Sequence, residues 1–169
     1  VRGIPREYVV YGVPFPESRA RFDEAWEIIQ GVWTDEVFSY EGRFWSYKDV
    51  AIWPRPVQQP HPPLWFGVRG RRMLGLAARY GDAWIPTNIA PESYSQGLKY
   101  IRSIQKDLEG EFEIKGALQN FEVFTDAAAC RDAIKKYSDA GCQYYGSVWS
   151  YPPEDMVSRV SWFADNVME

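Results

Sequence analysis

The 169-residue chain is poor in the residues that build covalent or metal frameworks: it holds two cysteines and one histidine. Two thiols cannot form a disulfide scaffold. Cys130 falls on the apolar side of a helical pattern and Cys142 follows a glycine at a strand start, so both read as buried reduced thiols. His61 stands in Gln59-Pro60-His61-Pro62-Pro63 with no cysteine or carboxylate cluster beside it, which excludes a metal centre built around it. No apolar run is long enough to span a bilayer, and neither end carries a targeting motif. The expected location is the cytoplasm, with no membrane partner. Positive charge is also short, 19 Lys and Arg against 23 Asp and Glu for a net charge of -4, which argues against nucleic acid as a partner.

What is present is ordinary for a globular protein: 46% hydrophobic and 25% charged residues, in a chain long enough to bury a core. Aromatics are in excess at 17%, with eight Trp, as in chains whose rings line a cleft or an interface.

From residue 61 onward, short β-favouring runs alternate with helical patterns. Pro63–Val68 reads as a strand buried on both faces. Arg71–Tyr80 reads as a helix with Leu74, Ala77 and Ala78 inward and Gly81 as a left-handed stop. Ala83–Pro86 is the next strand. Pro91 opens a helix with Tyr94, Leu98, Ile101 and Leu108 on one face and Gly110 at its end. Phe121–Thr125 is a third strand, and Asp126 caps a helix whose apolar face is Cys130, Ala133, Ile134 and Tyr137, with Gly141 as its stop. Tyr144–Trp149 is a fourth strand. Pro152 and Pro153 start a last helix with the stripe Met156, Val160, Phe163 and Val167. Four βα units in succession imply a parallel α/β fold.

Residues 1–60 have another pattern. A helix from Pro16 presents Phe22, Ala25, Trp26, Ile29, Val32 and Trp33 on one face. Arg19, Arg21, Asp23, Glu24 and Glu27 form its expected wet face. Val37–Tyr40 and Arg43–Tyr47 read as a hairpin about a Glu41-Gly42 turn. An extended, stiff connector runs from Pro54 to Pro63.

In parallel α/β folds ligands sit at the carboxyl ends of the strands. The loop Gly67-Val68-Arg69-Gly70-Arg71-Arg72 is the most informative of the four available. Its glycines admit close backbone approach, and the helix after it offers free amides and a partial positive charge. Arginines disfavour a helix N-terminus unless an anion sits there, and phosphate is the common one. The alternative is a solvated basic loop, or arginines paired with acids elsewhere. The loop lacks the Gly-Lys-Ser/Thr of a P-loop and the dinucleotide fingerprint. Thr87 and Asn88 read as caps or ligand contacts, Asp126 as a cap rather than a base, and Trp84 and Trp149 as core residues or a ring-binding wall. No nucleophile–base pair and no carboxylate dyad stands out, so no catalytic acid or base is identified.

Certain stretches resemble the bacterial-luciferase-like flavin monooxygenases: Tyr11-Gly12-Val13-Pro14-Phe15, Arg19–Ala25, Trp33-Thr34, Phe38–Phe44, Pro54–Gln58, Pro60–Gly67 and Ala77–Trp84. The match is densest from about residue 8 to residue 86 and rests mainly on βα rhythm beyond residue 90. The resemblance implies a (β/α)8 TIM barrel that uses reduced FMN, or a deazaflavin coenzyme as the alternative. It places the coenzyme phosphate after the fifth strand, which corresponds here to Gly67, Val68, Arg69, Gly70, Arg71 and Arg72. The family pattern has a second Gly, or a Ser or Thr, where this chain has Val68 and arginines. It further implies a small-molecule substrate, oxygen, a flavin reductase as electron donor and a homo-oligomer for the full-length protein.

A full barrel of this type needs roughly 250 residues. The chain is accordingly expected to be the C-terminal half, strands five to eight, preceded by a helix and a hairpin insertion. It then forms a single partial domain, with 1–60 as helix, hairpin and connector and 61–169 as four βα units. A half barrel has open edges and an uncovered inner face, so the chain is read as a fragment inactive by itself. The competing expectation is a non-catalytic half-barrel assembly module that pairs through its exposed edges.

Overall fold

The computed structural model describes residues 5–108, 115–120, 126–147 and 152–168. The chain forms two compact units, Val1–Pro62 and Pro63–Glu169.

In the first unit, helix α1 (Pro5–Val10) is an element that the sequence pattern does not predict. One tighter turn, Phe15–Glu17, leads into α2 (Ser18–Thr34). The predicted apolar stripe of α2 is only half-buried, and Ile29 is exposed. The polar side of α2 is not simply a solvated face. Glu24 accepts the amides of Arg43 and Phe44 at 2.9 and 3.0 Å. Glu27 accepts the Tyr40 hydroxyl at 3.2 Å, and the Arg21 guanidinium lies 4.3 Å from the centre of the Phe44 ring. These contacts hold a hairpin of β1 (Phe38–Glu41) and β2 (Ser46–Val50).

The expected Glu41-Gly42 turn shifts forward. Glu41 pairs with Ser46, and the Gly42 amide closes the turn on the Trp45 carbonyl at 2.9 Å. Both oxygens of Glu24 occupy amides inside that turn, a tertiary contact absent from any local pattern. The Pro-rich connector contains cis bonds at Trp53-Pro54 and Gln59-Pro60. Its Arg55 donates to the carbonyls of Trp33, Thr34 and Asp35, which satisfies the open end of α2.

The second unit alternates strand and helix: β3 (Trp65–Phe66), α3 (Arg71–Tyr80), β4 (Ala83–Trp84), α4 (Pro91–Gln105), β5 (Lys115–Asn120), α5 (Ala127–Asp139), β6 (Tyr144–Ser147) and α6 (Pro153–Val167). The strands form one parallel sheet in the order β3-β4-β5-β6. Pairing register puts Phe66, Trp84, Gly116 and Tyr145 on the side that packs against the helices. An aromatic column runs under that side. Trp84 stacks on Tyr94 at 5.1 Å, Tyr94 meets Tyr137 edge-on at 6.3 Å, and Tyr137 leans on Tyr145 at 5.7 Å. Part of the aromatic surplus is therefore core. Trp84 and Tyr94 are among the most deeply buried side chains.

The opposite side carries Trp65, Ala83, Lys115 and Tyr144. Rings of Trp65 on β3 and Tyr144 on β6 approach to 5.7 Å. Strands three spacings apart lie roughly 14 Å from one another, so the two side chains lean toward each other across the small residues Ala83 and Ala117. Lys115 joins them, its ammonium 5.9 Å from the Tyr144 ring.

Several expectations need correction. The strand predicted over Pro63–Val68 keeps only Trp65 and Phe66, and Trp65 is 48% exposed because it lies on the side of the sheet that the helices do not cover. Gly81 is extended, with φ -97°, rather than left-handed. It is glycine for space: a Cβ would stand 2.6 Å from the Ala77 carbonyl oxygen and 2.9 Å from the Phe66 ring. Gly141 does take the left-handed form, φ +99°. Helix α4 ends at Gln105, where Gln105 is buried and donates to the Ala78 carbonyl at 3.3 Å. Leu108 therefore falls beyond it, and Gly110 lies outside the described residues.

The third strand is Lys115–Asn120, and Phe121–Thr125 lies outside the described residues. Lys-Gly-Ala-Leu-Gln-Asn is weak in β propensity, and pairing on both sides overrides it. Beyond Ser147 the predicted fourth strand, including Trp149, also lies outside the described residues. On α6, Val160 is 50% exposed. Phe163 and Val167 of the predicted stripe do pack inward, in the cluster with Cys130, and Trp162 joins them.

Candidate functional site

The loop between β3 and α3 is fixed from below. The buried indole of Trp84 donates to the Val68 carbonyl at 2.9 Å, and Val68 itself is buried. Gly67 abuts the strand beside it, where a Cβ would stand 3.4 Å from the Ile85 carbonyl oxygen. Gly70 then turns with φ +82°, a conformation that favours glycine, and becomes the N-cap of α3. It contributes no side-chain cap, and a Cβ there would meet nothing within 4 Å.

The donors at this turn are open. Among the described residues, the amides of Arg69, Gly70, Arg71 and Met73 have no hydrogen-bond partner. The first turn of α3 carries no acid, whereas α4 has Glu92 and α6 has Glu154 and Asp155 in theirs. Helix α5 is closed by its own residue, since the Asp126 carboxylate accepts the Ala129 amide at 2.8 Å. A donor-only, positively charged turn with space in front of it suits a phosphate.

The three arginines diverge. Arg69 donates to the Asn88 carbonyl at 2.8 Å. Arg71 lies 4.9 Å from the centre of the Tyr100 ring on α4. Arg72 reaches the Met73 sulfur at 3.4 Å. The first of these contacts joins the β3–α3 and β4–α4 loops, and no pattern in the sequence signals it.

Neither Thr87 nor Asn88 caps α4, whose N-cap is Ala90 with no side-chain bond. Asn88 takes φ +46°, rare for a non-glycine residue. Asparagine is enriched among such residues, which is the one signal that could have drawn attention to it. The neighbouring Ile89 carbonyl accepts the Tyr137 hydroxyl at 2.7 Å, so the core column supports this loop as well.

Titration is perturbed away from the rim. Burial, reinforced by the Cys142 thiol, pushes the Tyr94 phenol far above its usual range. Burial likewise raises the Cys142 thiol, which donates to the Tyr144 carbonyl at 3.2 Å. Cys130 is fully buried and Cys142 half-buried, and neither is in a disulfide. Among the described residues there is no cluster of three His, Cys, Asp or Glu able to hold a metal ion. No described helix is long and apolar enough to cross a membrane.

Comparison with known proteins identifies the fold and the family. The chain superposes on the monooxygenase RslO1 from Streptomyces bottropensis with a TM-score of 0.75, at 18% identity, over 99% of this chain and 66% of that one. An F420-dependent secondary alcohol dehydrogenase gives 0.73 at 14% identity, over 91% and 62%. In sequence, the phthiodiolone/phenolphthiodiolone dimycocerosates ketoreductase of Mycobacterium tuberculosis is 34% identical over 100 residues, 57% of this chain and 26% of that protein. The FMNH(2)-dependent dimethylsulfone monooxygenase of Pseudomonas putida is 34% identical over 85 residues, 48% of this chain and 23% of that protein. The matched part is thus about a quarter of the curated relatives' length. The model of the luciferase-like monooxygenase family matches residues 2–137, most of the chain, and the chain belongs to that family.

Proposed function

We propose that the chain is part of a flavin-dependent monooxygenase that uses reduced FMN and oxygen on a small organic substrate, and that Gly67–Arg72 seats the coenzyme phosphate. The observation that carries this reading is the run of open amides at Arg69, Gly70, Arg71 and Met73, in a helix start that holds arginines and no acid. Those amides would donate to the phosphate oxygens. Arg69, Arg71 and Arg72 would offset its charge, an effect that grows as the salt concentration falls. When bound, the reduced flavin supplies the redox chemistry. The chain's own residues bind it, orient it and keep water from the reaction. Trp84, by holding the Val68 carbonyl, fixes the height of the seat above the sheet.

The parallel sheet, with Trp65 and Tyr144 exposed on the side away from the helices, supports the reading of these residues as strands five to eight of one barrel domain. The partial coverage of these relatives supports it too. On this reading the full-length protein is a cytoplasmic homo-oligomer, supplied with reduced coenzyme by a flavin reductase. The test is titration of the full-length protein with FMN, monitored by quenching of flavin fluorescence, with riboflavin in parallel. The expected result is binding at micromolar FMN and a clear preference for FMN. Equal binding of the two flavins refutes the phosphate seat, and no binding of either refutes flavin use.

A deazaflavin coenzyme is the second reading. It is favoured by the structural likeness to the F420-dependent dehydrogenase. The FMN reading ranks first because the FMNH(2)-dependent relative is 34% identical over its matched residues, against 14% for the deazaflavin enzyme.

A further inference from the structure

We propose that Arg69 is a positioning residue of the phosphate seat, acting through the backbone of Asn88 rather than on the phosphate itself. This rests on the proposed flavin-phosphate seat and goes beyond it, because sequence alone makes Arg69 one of three equivalent clamps.

The Arg69 guanidinium is already committed. Its one polar contact among the described residues is the Asn88 carbonyl at 2.8 Å, across 19 residues of sequence. That carbonyl belongs to a residue held at φ +46°, a conformation that costs a non-glycine residue free energy and persists only where surroundings enforce it. Arg69 supplies the enforcement from one side. Tyr137 supplies it from the other, through the adjacent Ile89 carbonyl at 2.7 Å. On the Arg69 side, the preceding residue is pinned by the Trp84 indole at 2.9 Å.

The two loops therefore form a bracket. It is fixed to the core at Val68 and Ile89 and closed across the top by Arg69–Asn88. Gly70 comes next in the chain, with φ +82° and no cap of its own, and after it the open amides of α3. The bracket is what sets the direction of those amides. A charge-assisted bond to a carbonyl gives this orientation and leaves the positive charge beside the anion.

The test uses the full-length protein and reads the ratio of riboflavin to FMN dissociation constants, which reports phosphate recognition and is not moved by general destabilisation. Arg69→Met is expected to lower that ratio about tenfold. Arg69→Lys, which keeps one donor, is expected to restore part of it. Asn88→Val, whose branched side chain resists positive φ, should reproduce the loss, and Asn88→Gly should not. The Arg69→Met/Asn88→Val double variant should be no worse than either single one, because both break the same bracket. In the ligand-free protein, Arg69→Met should also accelerate amide exchange at residues 87–90.

Losses that multiply in the double variant, to roughly a hundredfold, overturn the proposal in favour of a direct clamp. Unchanged exchange at 87–90 overturns it as well, and that measurement stands even if Asn88→Val does not fold. A wild-type protein without preference for FMN over riboflavin refutes the phosphate seat instead.

Discussion

Trp84 joins the core to the rim, and replacing it with phenylalanine measures that joint. The indole is 1% exposed and its N–H donates to a carbonyl on the buried residue Val68. Phenylalanine keeps an aromatic face against Tyr94 but removes the donor. An unsatisfied buried carbonyl costs about 1–3 kcal/mol. The space vacated by the larger ring adds about 1–2 kcal/mol, since the site cannot collapse fully. The expected loss is about 2–5 kcal/mol, read as a lower urea midpoint with unchanged slope. The structure also offers an internal control. A Cβ at Gly97 would run into the outer edge of the Trp84 ring, so Gly97→Ala alone is expected to destabilise by about 1–3 kcal/mol through overpacking. In the Trp84→Phe background that edge is gone, and the double variant should lose less than the sum of the two. A single-variant loss below about 0.5 kcal/mol, or strict additivity in the pair, would refute this account of how the loop is held.

Other contacts set their own expectations. Gly81→Ala places a Cβ 2.6 Å from a backbone oxygen that cannot swing away, so thermal unfolding should show a loss of about 1–3 kcal/mol. Asp126→Ala removes the only side-chain cap seen among the described helices of the second unit. It should cost about 0.5–2 kcal/mol, with faster exchange confined to the start of α5. Glu24→Gln replaces one of two acceptors with a donor that faces an amide, and exchange at Arg43 and Phe44 should rise while the second unit is unaffected. Stability should also fall in alkali. The Cys142 thiol is raised by burial in the folded state, so the unfolded chain ionises first. The stabilisation is full below about pH 9, the ordinary thiol value, and is lost as pH rises through the folded value. Cys142→Ser should flatten the denaturation profile in that window, and an unchanged profile would contradict the assignment.

Legibility from sequence depends on whether the determinant is local. Helix α3 has the predicted bounds because its punctuation, Gly70 before and Gly81 after, is adjacent in sequence. The Asp126 cap is readable for the same reason. Strand β5 escapes pattern reading because its residues are poor strand formers that gain their conformation from neighbours on both sides. The reason for Gly81 is hidden because the Phe66 ring that fills its Cβ space lies 15 positions away in sequence. The acids of α2 read as solvated because the turn they hold begins far downstream. At the rim, the glycine–arginine composition is visible, but the division of labour among the arginines is not. It depends on Asn88 and Tyr100, which pattern and spacing do not connect to the loop.

The aromatic column has a consequence for how this molecule would respond to warming. Trp84 and Tyr137 end in single polar atoms that grip the two rim loops. The hydrophobic interior and the edge proposed to seat the coenzyme phosphate consequently share the same side chains. Any loosening of the ring stack reaches the edge directly, without first having to melt a helix or separate a strand. If the rim seats a phosphate as proposed, its affinity for that anion should decline at temperatures where circular dichroism still reports an intact fold, and the anion should in turn stiffen the rings beneath it.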